Sequence, residues 1–287
     1  MVEFIKVIIL GIVEGITEWL PVSSTGHLIL VDEFLKLNVT DSFKEMFDVV
    51  IQLGAIMAVV VLYWSQLFPF GKKNNEHPLS QEGLGAYIKT DIFSMWFKVL
   101  VACIPAVIVG FFFDDMLNAV FFNWQTVAIM LILFGIIFLI VEKRNRDKQP
   151  KFNSIASMPY SVAMMIGAFQ LIAAVFPGTS RSGATIVGAL LIGVSRVTAA
   201  EFTFYLAVPV MFGASLLKLV KFFLKSGTMT GTETGMLLLG MVVAFAVSIF
   251  VIRFMMSYIK KHDFTVFGWY RIVLGILVLL YFGVIAK

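Results

Sequence analysis

The sequence has little charge and almost no cysteine. Only 14% of its 287 residues are Asp, Glu, Lys or Arg, whereas soluble domains carry about 25%. This composition excludes a disordered chain and a coiled coil, both of which are rich in charge. The single cysteine, Cys103, excludes an intramolecular disulfide scaffold and a cysteine metal site.

Apolar residues take the place of the missing charge. They make up 60% of the chain, with 29 Phe and 15 Met, and the mean hydropathy is +0.95. These values indicate a polytopic membrane protein. The net charge of +4 does not indicate nucleic-acid binding, because the basic residues flank apolar segments and form no patch with stacking aromatics.

Six segments are long and apolar enough to cross a bilayer, which takes about 20 residues as a helix. They lack the two-residue alternation of strands, so we predict helices. The predicted spans cover about 45–68, 92–113, 121–141, 198–224, 234–257 and 266–285.

Two further apolar regions are interrupted by Pro, Gly and hydroxyl-bearing residues, at 21–26 and at 177–182. The limb after each break is too short to span comfortably. We therefore predict two re-entrant helical hairpins whose polar tips are buried in protein. A pair of kinked spanning helices is the alternative.

The two interrupted regions resemble each other, and three spans follow each of them. The matching residues, 156 positions apart, are Gly11 and Gly167, Pro21 and Pro177, and Ser24 and Ser180, with Glu14 opposite Gln170. Each half then crosses the membrane an odd number of times, so the halves have opposite orientations. The predicted fold is an all-α polytopic inverted-topology repeat, with six spanning helices and two re-entrant hairpins meeting near the midplane. Residues 1–287 form one integral membrane domain, with repeats at about 1–141 and 156–287 and a basic linker at 142–155.

Lysine and arginine placement predicts the orientation. Loops 69–91, 142–156 and 258–265 are basic, and the first of them includes Lys72, Lys73 and Lys89. The opposite connections contain fewer basic residues. Segment 114–120 contains Asp114 and Asp115 and no basic residue, and Lys225 is the only basic residue in 225–233. We therefore place the basic loops in the cytoplasm and both termini outside.

Four ionisable residues fall inside the interrupted regions: Glu14, Glu18, His27 and Arg181. A charge at membrane depth costs about 2.5–3.5 kcal/mol on insertion scales, so such residues suggest function. The two glutamates are four residues apart on one helix face, so either a cation lies between them or one holds a proton. Arg181 suits an anion clamp; neutralising the glutamates is its alternative role. A hydrogen-bonded network without chemistry is the alternative for the glutamate pair.

The two tips also suggest an anion site. Each precedes a short helix, whose free N–H groups and partial positive charge bind phosphate. The residues concerned are Ser23, Ser24 and Thr25 at the first tip, and Gly178, Thr179, Ser180 and Ser182 at the second. Any one hydroxyl could instead be an ordinary helix cap. Ser24 is also a possible nucleophile, with His27 or a glutamate taking its proton.

Two segments carry a resemblance to a known family. Residues 14–27, EGITEWLPVSSTGH, and residues 177–185, PGTSRSGAT, resemble the two signatures of the bacterial undecaprenyl-pyrophosphate phosphatases, the bacitracin-resistance membrane phosphatases. The similarity continues at 51–54 and 199–202, so it covers essentially the whole chain.

The resemblance implies hydrolysis of undecaprenyl pyrophosphate to undecaprenyl phosphate and inorganic phosphate, which recycles the lipid carrier of cell-wall synthesis. It implies dependence on a divalent cation and a site on the outer face of the bacterial plasma membrane. We expect the cation to be Mg²⁺ or Ca²⁺ and to be held by Glu14 and Glu18, since such ions bind carboxylates together with substrate phosphates. The family's catalytic residues fall on Glu14, Glu18, Ser24, His27 and Arg181, and Thr185 joins the phosphate-binding set. The partners are a polyprenyl pyrophosphate and membrane lipids, and the oligomeric state stays open.

Two alternatives remain at this point. An activated water could replace Ser24 as the nucleophile at the same site. A secondary transporter or lipid flippase is the rival function, because inverted repeats with broken helices are at least as typical of transporters.

Overall fold

The computed structural model describes residues 1–72, 76–121 and 123–285, with the backbone alone at 110–119, 226 and 285. Lys73 and residues 286–287 of the predicted second repeat lie outside this part of the chain, and so do the side chains of Asp114 and Asp115. Twelve α-helices occur among the described residues: α1 Val2–Thr17, α2 Ser24–Phe34, α3 Asp41–Val50, α4 Gln52–Leu62, α5 Trp64–Leu67, α6 Thr90–Phe121, α7 Trp124–Asn145, α8 Tyr160–Val175, α9 Arg181–Ile192, α10 Arg196–Ser226, α11 Gly231–Ile259 and α12 Thr265–Leu280.

Six helical segments in the described residues are long and apolar enough to cross a membrane, which confirms the predicted number and type of spans. They are Asp41–Leu62, Thr90–Val109, Trp124–Asn145, Arg196–Lys225, Gly231–Ile259 and Thr265–Val284. The chain is therefore an all-helical, multi-pass membrane protein.

Several predicted span ends shift by a few residues, such as 45–68, which is Asp41–Leu62, and 141, where α7 continues to Asn145. The connection expected at 114–120 is helical, because α6 continues from Thr90 to Phe121. This stretch contains no Gly or Pro that would end a helix. The turn comes instead at Asn123, whose side chain accepts from the Thr126 N–H at 2.9 Å and caps α7.

Both predicted breaks separate a longer helix from a shorter one. Ser23 and Ser180 cap α2 and α9 by accepting from the N–H groups of Gly26 and Gly183, at 3.3 and 3.1 Å. These two serines are the non-glycine residues with positive φ in the described chain, at 73° and 70°. That backbone is strained for a residue with a side chain, so the tertiary structure must hold both tips in place.

The two helices of each pair lie against each other. Lys6 of α1 donates to the Lys36 carbonyl just after α2, at 2.6 Å. In the second pair, the ring of Phe169 in α8 packs directly against Gly188 in α9. The two limbs of each pair therefore run side by side in opposite directions.

The first helix of each pair packs against a long helix from the other half of the chain. Helix α1 lies along α11 and α8 lies along α6. Glycines permit this close approach: a Cβ on Gly167 would lie 2.1 Å from the Ala102 carbonyl oxygen, and one on Gly11 would lie 2.9 Å from Val243 Cβ. Small residues at membrane helix contacts serve this purpose generally, and here they hold the first helix of each pair against the opposite half of the chain.

Candidate active site

An ion pair joins the two tips. Arg181 Nη2, at the start of α9, lies 2.8 Å from Glu18 Oε1, just after α1. The Arg181 side chain is 15% exposed and that of Glu18 is 8% exposed, so the pair is largely withdrawn from solvent. The structure thus brings together two of the predicted charged residues from opposite halves of the chain.

Ser24 belongs to the same network. Its hydroxyl donates to the other oxygen of Glu18, Oε2, at 2.7 Å. Ser182 Oγ donates to the Glu18 backbone carbonyl at 3.3 Å. The Glu18 carboxylate therefore lies between a serine hydroxyl and a guanidinium, which is a suitable place to accept a proton from the one and to be held by the other.

A cavity of about 170 Å³ lies between the tips. Its polar wall includes Glu18, Ser24 and Arg181 together with five of the residues predicted to bind phosphate: Ser23, Thr25, Gly178, Ser180 and Ser182. Gln52 adds an amide, and Val210, Met211 and Ala214 of α10 form part of the apolar wall. A ligand that consists of a polar group attached to an apolar chain would match this combination of a polar and an apolar wall.

Two predicted phosphate ligands do not line this cavity. Thr185 Oγ1 donates to the Arg181 carbonyl at 3.0 Å and lies 2.9 Å from Thr203 Oγ1, so it braces the first turn of α9. Thr179 is fully buried, and its hydroxyl has no hydrogen-bond partner within the described residues.

Both ring nitrogens of His27 bond groups other than the Ser24 hydroxyl. Its Nδ1 lies 2.7 Å from the Ser23 carbonyl and its Nε2 lies 2.6 Å from the Tyr270 hydroxyl. A carbonyl only accepts, so Nδ1 carries the proton and, in the neutral ring, Nε2 accepts from the tyrosine. In this arrangement the histidine ties the first tip to α12, and Glu18 is the proton acceptor that contacts Ser24.

Glu14 is fully buried, and neither of its carboxylate oxygens has a hydrogen-bond partner in the described part of the chain. Gln170, its counterpart in the second half, is buried and unpartnered in the same way. No group of three or more His, Cys, Asp or Glu side chains suited to a metal occurs in the ranges that the structure describes. The two unpartnered oxygens of Glu14 and the remaining lone pairs of Glu18 still fit Mg²⁺, which takes one or two carboxylates and completes its shell with water and substrate oxygens.

Arg271 is a site residue that the sequence analysis did not identify. Fully buried in α12, it donates to the Pro21 carbonyl of the first tip at 3.1 Å and to the Gly178 and Thr179 carbonyls of the second at 2.9 and 2.7 Å. The sequence did indicate that Arg271 is unusual, because it lies within the predicted span 266–285, where a charged residue is rare.

The family model described as bacitracin resistance protein BacA matches residues 7–277. The chain belongs to the BacA family. BacA relatives include the undecaprenyl-diphosphatase of Desulfitobacterium hafniense, 60% identical over 99% of this chain and 97% of that protein. Undecaprenyl-diphosphatase 1 of Clostridium acetobutylicum is 60% identical over 99% of both chains, and the undecaprenyl-diphosphatase of Enterococcus faecalis is 60% identical over 97% of both.

The BacA match includes both tips, Arg271 and every residue that lines the cavity between the tips. The site described above therefore lies wholly within the part of the chain that the family shares.

Proposed function

We propose that this protein hydrolyses undecaprenyl pyrophosphate to undecaprenyl phosphate and inorganic phosphate. Relatives with that activity in their names are 60% identical over nearly their full length. The observation that carries the proposal is the contact of one carboxylate, Glu18, with both Ser24 and Arg181 in a cavity between two helix starts. The reaction returns the lipid carrier to cell-wall synthesis and accounts for the family's link to bacitracin resistance.

The substrate's pyrophosphate binds in the cavity between the tips. Arg181 offers a planar fork that matches phosphate oxygens, and the first N–H groups of α2 and α9 add donors and a partial positive charge. The isoprenoid chain leaves the cavity along the apolar residues of α10. Phosphate competes with Glu18 for Arg181, so its arrival frees the Glu18 carboxylate.

Ser24 is the nucleophile in this proposal. Its oxygen forms a bond to the terminal phosphorus while the bond from that phosphorus to the bridging oxygen breaks, and undecaprenyl phosphate leaves. Glu18 Oε2, already 2.7 Å from the hydroxyl, takes the serine proton. Water then attacks the phosphoserine and releases inorganic phosphate, and the serine oxygen regains a proton. His27 holds the backbone of the tip through its bond to the Ser23 carbonyl.

A divalent cation, Mg²⁺ or Ca²⁺, fits beside Glu14 and Glu18. The two unpartnered oxygens of Glu14 and the remaining lone pairs of Glu18 would hold it. When bound, such an ion supplies positive charge that offsets the negative charge of the pyrophosphate.

We propose further that the two interrupted helix pairs are re-entrant hairpins in an inverted-topology repeat. Two features support this. The limbs of each pair lie antiparallel, and the packing is exchanged between halves, with α1 on α11 and α8 on α6. The repeats cover about 1–141 and 156–287, and their tips meet at the ion pair between Glu18 and Arg181.

In the orientation that we propose, the basic loops face the bacterial cytoplasm, and both termini and the site face outwards. Arg146→Cys in the linker tests this, because Cys103, the native cysteine, is buried. An impermeant thiol reagent should label that variant only after the inner face is exposed. Labelling of this variant in intact cells would show that the protein has the opposite orientation.

Phosphate release from a detergent-solubilised polyprenyl pyrophosphate tests the function. Wild type should release phosphate, a chelator should reduce the release, and Glu18→Gln and Arg181→Ala should abolish most of it. Glu45→Gln, an exposed glutamate on α3, is the matched control and should remain active. Absence of release from wild type, together with movement of the lipid across vesicle membranes, would instead support the transporter.

A further inference from the structure

A second cavity, which is lined by basic residues, lies away from the tips, between the linker and the end of α9. Its volume is about 170 Å³. Four cationic side chains line it, those of Arg144, Lys148, Lys151 and Arg196, and no carboxylate of the described residues does. This charge distribution selects an anion.

Three of these four cations are available to a ligand. Arg196 is bonded in a bidentate manner to Glu142, at 3.0 and 3.1 Å from its Nε. Arg144, Lys148 and Lys151 have no ion-pair partner among the residues that the structure describes. Their positive charge is therefore not offset by a direct ion pair in the described residues.

Two carbonyl oxygens at and just after the end of α9 already accept from the linker. Asn145 Nδ2 donates to the Leu190 carbonyl at 2.8 Å, and the Lys151 N–H donates to the Gly193 carbonyl at 2.7 Å. The bonds also fix the linker against the end of α9, so the wall of the cavity is a folded structure rather than a loose basic tail.

The cavity lies beside the last residue of one span and the first residue of another. Asn145 is the last residue of α7 and Arg196 is the first of α10. Leu190, Leu191 and Ile192 form an apolar wall beside the basic one, and Leu191 is 36% exposed. A ligand here meets cations at one end and an exposed apolar surface at the other, as a phospholipid at the membrane interface does.

We infer that this cavity, lined by Arg144, Lys148 and Lys151 and walled by the end of α9, binds the phosphate headgroup of an anionic phospholipid in the leaflet of the basic loops. Three unneutralised cations favour a headgroup with two negative charges, such as that of cardiolipin. The site is separate from the cavity between the tips, and its occupancy does not depend on hydrolysis.

Two double variants of the linker test the inference. Arg144→Gln/Lys148→Gln removes two lining cations. Lys143→Gln/Arg146→Gln removes one lysine and one arginine from the same linker without touching the cavity. Both pairs leave the residues at the tips intact, so phosphate release at the wild-type rate reports that each variant is folded.

Binding of cardiolipin to the purified protein, with phosphatidylcholine as the neutral lipid and inorganic phosphate as the free anion, is measured by native mass spectrometry. We expect wild type to retain cardiolipin and the lining variant to bind it about 25-fold more weakly, at fivefold for each of the two lost cations. The control pair should stay near wild type. Equal weakening of cardiolipin binding in both variants would show that the lipid is attracted to the whole linker. If inorganic phosphate displaces bound cardiolipin as effectively as added cardiolipin does, the cavity is a site for free anions. Either result overturns the inference.

Discussion

Ser23 and Ser180 occupy equivalent places in the two halves of the chain. Each has a positive φ, and each caps the helix that follows through the N–H three residues on. The residue after each cap, Ser24 in one half and Arg181 in the other, contacts Glu18. The same backbone turn therefore presents a hydroxyl from one tip and a guanidinium from the other to a single carboxylate.

Ser24→Ala tests the nucleophile. We expect kcat for phosphate release to fall by at least about a hundredfold with little change in KM, because the oxygen that attacks phosphorus is lost. Ser182→Ala removes a hydroxyl that donates to the Glu18 backbone carbonyl and lies 3.1 Å from Ser180 Oγ, without touching the Glu18 carboxylate, and its turnover should fall much less. Near-normal turnover in Ser24→Ala, with activity still lost in Glu18→Gln, would assign the attack to water.

The Glu18–Arg181 pair makes a prediction about stability. Loss of one member leaves a largely buried charge without its partner, which costs about 3–5 kcal/mol. Arg181→Gln should therefore lower the thermal midpoint in detergent, and Glu18→Gln/Arg181→Gln should recover part of the loss. If the thermal midpoint of the double variant is no higher than that of Arg181→Gln, the two charges do not stabilise each other.

The sequence predicted the spans and the two breaks, because charge-free runs and Pro-Gly clusters are local signals. It matched Ser24 with Ser180, but the structure pairs Ser23 with Ser180. The second tip has one more residue between its proline and its cap, and a gapless comparison of two short motifs cannot detect such an insertion.

Contacts between distant parts of the chain were less accessible to sequence analysis. Tyr270, the partner of His27, follows it by 243 residues, so no spacing rule connects the two. Glu142 was assigned to a basic linker, yet it is 3% exposed and accepts from Arg196 and from the Phe264 N–H. Which charges are buried depends on the helices that pack around them, and a single sequence does not show this.

Arg271→Met tests the link between the tips and α12. The substitution leaves three carbonyls without their donor, and loss of hydrogen bonds from a charged group costs about 1.5–3 kcal/mol each before relaxation. We expect a lower thermal midpoint and a loss of hydrolysis, since both tips lose a shared support. Arg253→Met, an exposed arginine on α11, is the control. A wild-type midpoint and activity in Arg271→Met would show that the tips hold their position without it.

Gly167→Ala tests the close contact between α8 and α6. The added Cβ would lie 2.1 Å from the Ala102 carbonyl oxygen, so one helix must move and the second tip moves with it. We expect a destabilisation of about 1–3 kcal/mol and reduced phosphate release. Gly213→Ala is the matched control, because nothing lies within 4 Å of its Cβ position and alanine favours a helix. Equal thermal midpoints for the two variants would mean that the packing of α8 on α6 does not position the site.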